Sequence, residues 1–127
     1  MNEQRTETHK KLQQIALCDL RISRYERQLQ ELDQYETNGQ LDPERCRYYR
    51  DMFQKSKNGL QKQRDDIIRM IVKLPEKYAN ILLLMYVKGL RLVDLAPVMN
   101  YQVDCVTRLR SKALDMFHDL MVQQGDV

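Results

Sequence analysis

Two apolar stripes with alternating spacings of three and four, split by a short turn-rich break, constrain this chain more than any other feature. Ile15, Cys18, Ile22, Tyr25, Leu29 and Leu32 form the first. Cys46, Tyr49, Phe53, Ser56, Leu60, Gln63, Ile67, Met70 and Leu74 form the second, with Ser56 and Gln63 as polar interruptions. A 3–4 alternation keeps its residues on one face of a helix and makes the seam of a helix pair. The break, "ETNGQLDPE" (Glu36–Glu44), explains why there are two helices and not one. Asn38 and Gly39 both tolerate the left-handed conformation that ends a helix. Asp42 can cap the next helix, Pro43 suits its first position, and Glu44 complements its positive end. So short a loop predicts an antiparallel hairpin of long helices, with Leu32 by Cys46, Leu29 by Tyr49, Tyr25 by Phe53 and Cys18 by Leu60. Asn58-Gly59 weakens the second helix locally, by about 1 kcal/mol at the glycine.

Two helices alone bury little surface. Leu12, Leu17, Leu20, Met52, Ile68 and Ile71 lie off the main seam and are free to cover a second chain or the C-terminal region. Association of two chains is the expectation, because an extended hairpin has no other evident cover. The composition agrees with helices: charged residues make up 31% of the chain, with only 4 Gly and 3 Pro. The net charge of +3 is too small to announce a nucleic-acid partner by itself. Within Lys88–Lys112, however, Lys88, Arg91, Arg108, Arg110 and Lys112 face only Asp94 and Asp104, a locally positive stretch.

Other classes are argued against. The longest apolar run, "ANILLLMYV" (Ala79–Val87), is too short for a bilayer and reads as a buried helix. The start, "MNEQRTETHK", lacks the apolar core of a secretory signal, so a cytoplasmic location is expected. Cys18, Cys46 and Cys105 form no C-x-x-C pair, and His9 and His118 share no spacing with them, so free thiols and no metal are expected. No phosphate-cradling glycine loop, H-E-x-x-H or nucleophile–base pair appears, which points away from an enzyme and from any cofactor.

The breaks "KLPEK" (Lys73–Lys77) and "VKGLR" (Val87–Arg91) set off a second region, so the chain divides into residues 1–73 and 74–127. Pro75 opens a third helix with Ile81, Leu82, Met85 and Tyr86 inward, ended by Lys88-Gly89. Leu92, Leu95, Ala96 and Met99 then suit the inner face of one short helix, and Cys105, Val106, Leu109 and Ala113 that of the next. Asn100-Tyr101 is the turn between them, with Asn at a left-handed position. Ala96 is small enough for a close crossing that Val106 would plug, leaving Val103, Asp104, Thr107, Arg108 and Ser111 outward. A helix presented in this way fits a DNA major groove. Arg108 can pair with both guanine acceptors and Thr107 can reach a base. Arg110, Lys112 and Arg91 are placed for phosphates.

These residues resemble a family. "LPEKYANILLLMYVKGLRLVDLAPVMNYQVDCVTRLRSKAL" is similar to the fourth region of bacterial sigma factors, as used in small phage and prophage transcriptional regulators. The resemblance rests on the Leu-Pro start, Tyr-x-x-Gly, "DLA", "MNY" and "V-x-R-L-x-x-K-A-L", over Leu74–Leu120. It implies an all-α chain in which a helical extension precedes a three-helix helix-turn-helix, with Gln102, Val103, Asp104, Thr107 and Arg108 at DNA-reading positions. It implies double-stranded DNA as partner; the homodimer is expected from the uncovered hairpin residues, and RNA polymerase enters as a partner with the alternative, adaptor reading. The sequence departs from the family pattern at Arg91, where a capping Ser or Thr is common, at Pro97 inside the supporting helix, and at the acidic Asp104. Asp94 can compensate at the helix start, and Pro97 predicts a shortened or distorted helix. The alternative function is a phage assembly protein, such as the small subunit of a DNA-packaging machine, or an adaptor docking on RNA polymerase.

Overall fold

The computed structural model describes residues 3–126. Its elements are α1 (Glu3–Thr37), α2 (Pro43–Val72), α3 (Glu76–Tyr86), α4 (Leu92–Met99) and α5 (Val103–Gln123). No strand occurs among the described residues, so the chain is all-helical. None of these helices is long and apolar enough to cross a membrane.

Two compact units emerge. One joins the start of α1, up to Ala16, with everything from Asp66 onward; the other is Leu17–Asp65. This differs from the division after residue 73 that the linker composition suggests. The reason is that Leu12 and Ile15 of α1 and Ile67, Met70 and Ile71 of α2 are buried in one cluster with α3, α4 and α5 residues. A heptad stripe shows that a helix has an inner face, but not which element fills it.

In the Leu17–Asp65 unit the local signals act as read. The amide of Gln40 returns to the carbonyl of Tyr35 at 2.8 Å, across Gly39 at φ 73°. Asp42 Oδ1 accepts the Arg45 amide at 2.8 Å and caps α2. The cross-helix contacts run in opposite directions along α1 and α2. Arg50 binds Asp33 and Glu36, each at 2.9 Å; Tyr25 meets Phe53 with centroids 5.9 Å apart; Lys57 approaches Glu26; and Arg64 binds Asp19. Tyr25 thus finds the partner that the seam assigns to it. Gln63 does not hold its seam position: it is exposed, and Arg64 turns inward in its place. A helix with 3.6 residues per turn drifts off a strict 3.5 repeat, and a polar Gln gives no apolar gain that would hold it on the seam. Tyr49 also drifts outward, to 38% exposure, while still stacking on Phe53.

The other unit holds the larger core. Phe117, Ile81, Leu82, Leu95 and Val106 are completely buried, and each such side chain contributes about 1.5–3 kcal/mol of burial. Met85 and Tyr86, expected inward, are half-buried. α3 ends where Gly89, at φ 75°, lets the Leu90 amide reach back to the carbonyl of Leu84 at 3.0 Å. Inside the core, Thr8 Oγ1 donates to the carbonyl of Gln4 at 2.7 Å and lies 3.3 Å from Nδ1 of the buried His118. With its proton already given away, the hydroxyl is left to accept from His118. His9 Nδ1 meets the Tyr86 hydroxyl at 2.6 Å.

Of the off-seam residues, Leu12 and Ile71 are fully buried and Ile68 packs against the same cluster. Leu17, Leu20 and Met52 remain 43%, 60% and 41% exposed. Cys18 and Cys46 are free and buried, and burial raises the pKa of both thiols.

Candidate nucleic-acid interface

The site is built on the junction of α4 and α5. α4 lacks an N-terminal side-chain cap of the Ser or Thr type. Asp94 replaces it: its carboxylate accepts the Arg91 amide at 3.1 Å and the Arg91 guanidinium at 3.3 Å. The side-chain hydrogen bond from Arg91, and then the backbone one, hold the Asp94 carboxyl below its ordinary pKa. The helix is short, eight residues, with Pro97 in its last turn. Pro97 has no N–H for the carbonyl four residues back, but only Val98 and Met99 follow it in the helix, so little regular structure is lost. Asn100 then adopts the left-handed conformation, at φ 60° and ψ 42°. This turn lets the Tyr101 amide bond the carbonyl of Ala96 at 2.9 Å, and Gln102, extended, leads into α5. Ala96 and Val106 are both buried in the common core, at 7% and 0% exposure.

Burying Val106, Ala113, Leu114, Phe117, His118 and Met121 fixes the rotation of α5. Asp104, Arg108 and Lys112 are exposed on its opposite face, where the exposed Asp115 and Asp119 follow, and Gln102 and Val103 are exposed at its N-terminal end. Thr107 is half-buried, and its hydroxyl donates to the carbonyl of Val103 at 3.0 Å. Cys105 and Leu109, expected inward, are half-buried.

Three further residues differ from the sequence reading. Arg110 is half-buried, its Nε buried without a hydrogen-bond partner among the described residues. Its charge lies near Tyr86, whose pKa burial raises and Arg110 partly lowers. It is therefore a poor phosphate ligand: a helix of this period turns it toward the Tyr86 side. Ser111 is half-buried rather than outward, because the start of α1 reaches this side of α5. Arg5 approaches the Ser111 carbonyl and the Asp115 carboxylate, each at 3.5 Å. Arg91 is exposed, but engaged by Asp94.

The structure also adds residues that the sequence reading missed. A cleft of about 340 Å³ is lined by Lys77, Tyr78, Tyr101, Cys105, Arg108, Leu109 and Lys112. Lys77 Nζ and Lys112 Nζ lie 5.1 and 5.6 Å from the centroid of the buried Tyr78 ring. Arg108 reaches back to Cys105 Sγ at 3.6 Å. No spacing in the sequence links Lys77 to α5; only the packing of α3 on α5 does. Tyr101 carried a signal, as an aromatic residue beside a left-handed turn, but it reads equally as part of the turn. In comparisons with family models, with curated proteins and with solved structures, nothing matches this chain.

Proposed function

We propose that this chain is a sequence-specific DNA-binding regulator of transcription, of the phage and prophage type, and not an enzyme. In this reading α4 and α5 are the supporting and recognition helices of a helix-turn-helix. α1 and α2 form the antiparallel hairpin ahead of it and pair two copies of the chain. The observation that carries the reading is the left-handed Asn100 turn between two helices with a shared core, which leaves Arg108 exposed in the second turn of α5. A guanidinium so presented can bond guanine in the major groove, with Gln102, Val103 and Asp104 beside it and Lys112 on a phosphate. The exposed Leu17, Leu20 and Met52 support pairing of two chains, which strengthens a contact surface with few free cations.

The test is binding to duplexes selected from random DNA, measured by fluorescence anisotropy over a range of salt. Arg108→Ala is expected to cost about 1–3 kcal/mol and to relax the preference at one position. Lys112→Ala is expected to weaken binding to all duplexes alike and to reduce the salt slope by about 1. Unchanged affinity for both variants, with helix content intact, rejects the assignment.

One observation favours the second reading, an assembly protein or a polymerase-docking adaptor. Val93 and Val98 on α4 and Val103 at the start of α5 are 61%, 59% and 51% exposed, apolar side chains suited to protein contact. Mass measurement in solution separates the two: a dimer fits the regulator, and a ring-sized oligomer fits a packaging subunit.

A further inference from the structure

We propose that the cleft between the first turn of α3, the α4–α5 turn and the face of α5 is a nucleotide site, taking a phosphate group carried on a planar ring. The first argument is charge. Lys77, Arg108 and Lys112 converge there, no acidic side chain among the described residues lines the cleft, and none of the three is held in an ion pair with a described residue. Arg50, Lys57, Arg64 and Arg91, by contrast, each meet a carboxylate. Three uncompensated cations repel one another and favour an anion among them. A single carboxylate would leave two of them unanswered, whereas a phosphate monoester carries nearly two negative charges at neutral pH. The arginine fork adds bidentate bonding to phosphate oxygens.

The second argument is the wall. An inorganic anion needs only the cations, yet the cleft is also lined by Tyr101, Leu109 and Cys105, with Tyr78 beneath the two ammonium groups. Tyr101 is 46% exposed, so its ring is available for stacking. An aromatic face beside Lys and Arg is how proteins hold single nucleotide units. The volume, about 340 Å³, lies at the small end of the range for ligand clefts and suits one such unit. The same chemistry comes from a free mononucleotide or from a phosphate of nucleic acid. The site stands without the DNA reading. Competition between nucleotide and DNA rests on that reading, because Arg108 and Lys112 serve both.

The experiment is an amide NMR titration of the whole chain with adenosine monophosphate, and in parallel with adenosine, inorganic phosphate and the selected duplex. Adenosine monophosphate is expected to shift the amides of Tyr101, Cys105 and Leu109, with adenosine and phosphate each binding at least about tenfold more weakly. Lys77→Gln and Tyr101→Ala, both at exposed positions, are each expected to weaken the nucleotide about tenfold with helix content unchanged. The absence of shifts at those amides overturns the proposal. So does phosphate binding as tightly as the nucleotide, or both variants binding like the parent. A duplex that displaces the nucleotide upholds the site and adds the DNA backbone as a source, while a nucleotide that stays bound upholds it for the free ligand alone. Failure of every duplex to bind sinks only the DNA reading, since the nucleotide titration decides the cleft by itself.

Discussion

The Leu17–Asp65 unit and the unit built on α3, α4 and α5 are both helical, but they are held together differently. In the first, the buried apolar side chains are Cys18, Ile22, Leu32 and Cys46, two of them small thiols. Beside these it is tied by the Tyr25–Phe53 and Tyr49–Phe53 ring contacts and by exposed or half-exposed ion pairs, and such pairs contribute little. In the second, seventeen buried residues form one continuous cluster. The middle of the regular seam, the plainest pattern in the sequence, therefore marks the thinner core, while its outer ends, Ile15, Ile67, Met70 and Leu74, belong to the thicker one. Regularity of spacing reports that a stripe faces something; the volume buried behind it decides the stability. Amide exchange should be slower through α3 and the middle of α5 than through the middle of the Leu17–Asp65 unit.

The largest effect expected is at Phe117, fully buried in the α3–α5 cluster. Phe117→Ala should cost about 3–5 kcal/mol in a denaturant melt, and Leu32→Ala in the thinner unit about 2, since a site with fewer neighbours collapses with less cavity left. A Leu32→Ala loss equal to or larger than that of Phe117→Ala would break the comparison. Next comes the turn that sets α5 against α4. Asn100 is the one non-glycine residue at positive φ among those described. Asn100→Ala should cost about 1–2 kcal/mol through the left-handed conformation alone, while Asn100→Gly should be neutral or better. A loss shared by both variants would place the role of Asn100 in its side chain and not in its backbone.

What was legible followed from how local the cause was. The capping Asp42, the stop at Gly39, the left-handed Asn100 and the compensation of Arg91 by Asp94 all act within a few residues, and each appears at the position read. The Tyr25–Phe53 partnership was legible because one short loop fixes the register. Failures began where the answer lay across the fold. Nothing near Arg110 indicates that it turns toward Tyr86, and nothing near Ser111 indicates that Arg5 reaches it. Gln63 and Arg64 differ by one residue of helical phase, which spacing alone cannot resolve over this length. The cleft at Lys77 is made by three elements, and no window of sequence contains it.

The thinner unit can also be strengthened, which sharpens the contrast from the other side. Gly59 lies inside α2, and a Cβ added there meets nothing within 4 Å. Gly59→Ala should stabilise by about 1 kcal/mol, through helix propensity and a less free unfolded chain. The gain should appear as slower amide exchange in the residues around it. An equal gain throughout α3 and α5 would mean that the two units open as one, and the comparison would then describe packing without describing stability.

The smallest effect concerns pH and the start of α4. The Asp94 carboxyl is held below its ordinary range by the Arg91 guanidinium and then by the Arg91 amide. A carboxyl whose folded pKa is lowered binds its proton more readily in the unfolded chain. Its contribution is therefore complete above the ordinary carboxylate range and is lost as the pH falls through the lowered folded value. Other carboxylates lose stability in the same window, so the informative quantity is the difference between the parent and Asp94→Asn. Melting temperatures of the two should differ at neutral pH and converge in strong acid; a difference that persists there would assign the effect to packing. The same pair links stability to the proposed interface. Arg91 is 79% exposed at its side chain and free to swing toward a phosphate, while Asp94 keeps the backbone amide. Binding of DNA should then cost α4 only one of its two ties, and Arg91→Ala should lower affinity without undoing the helix start.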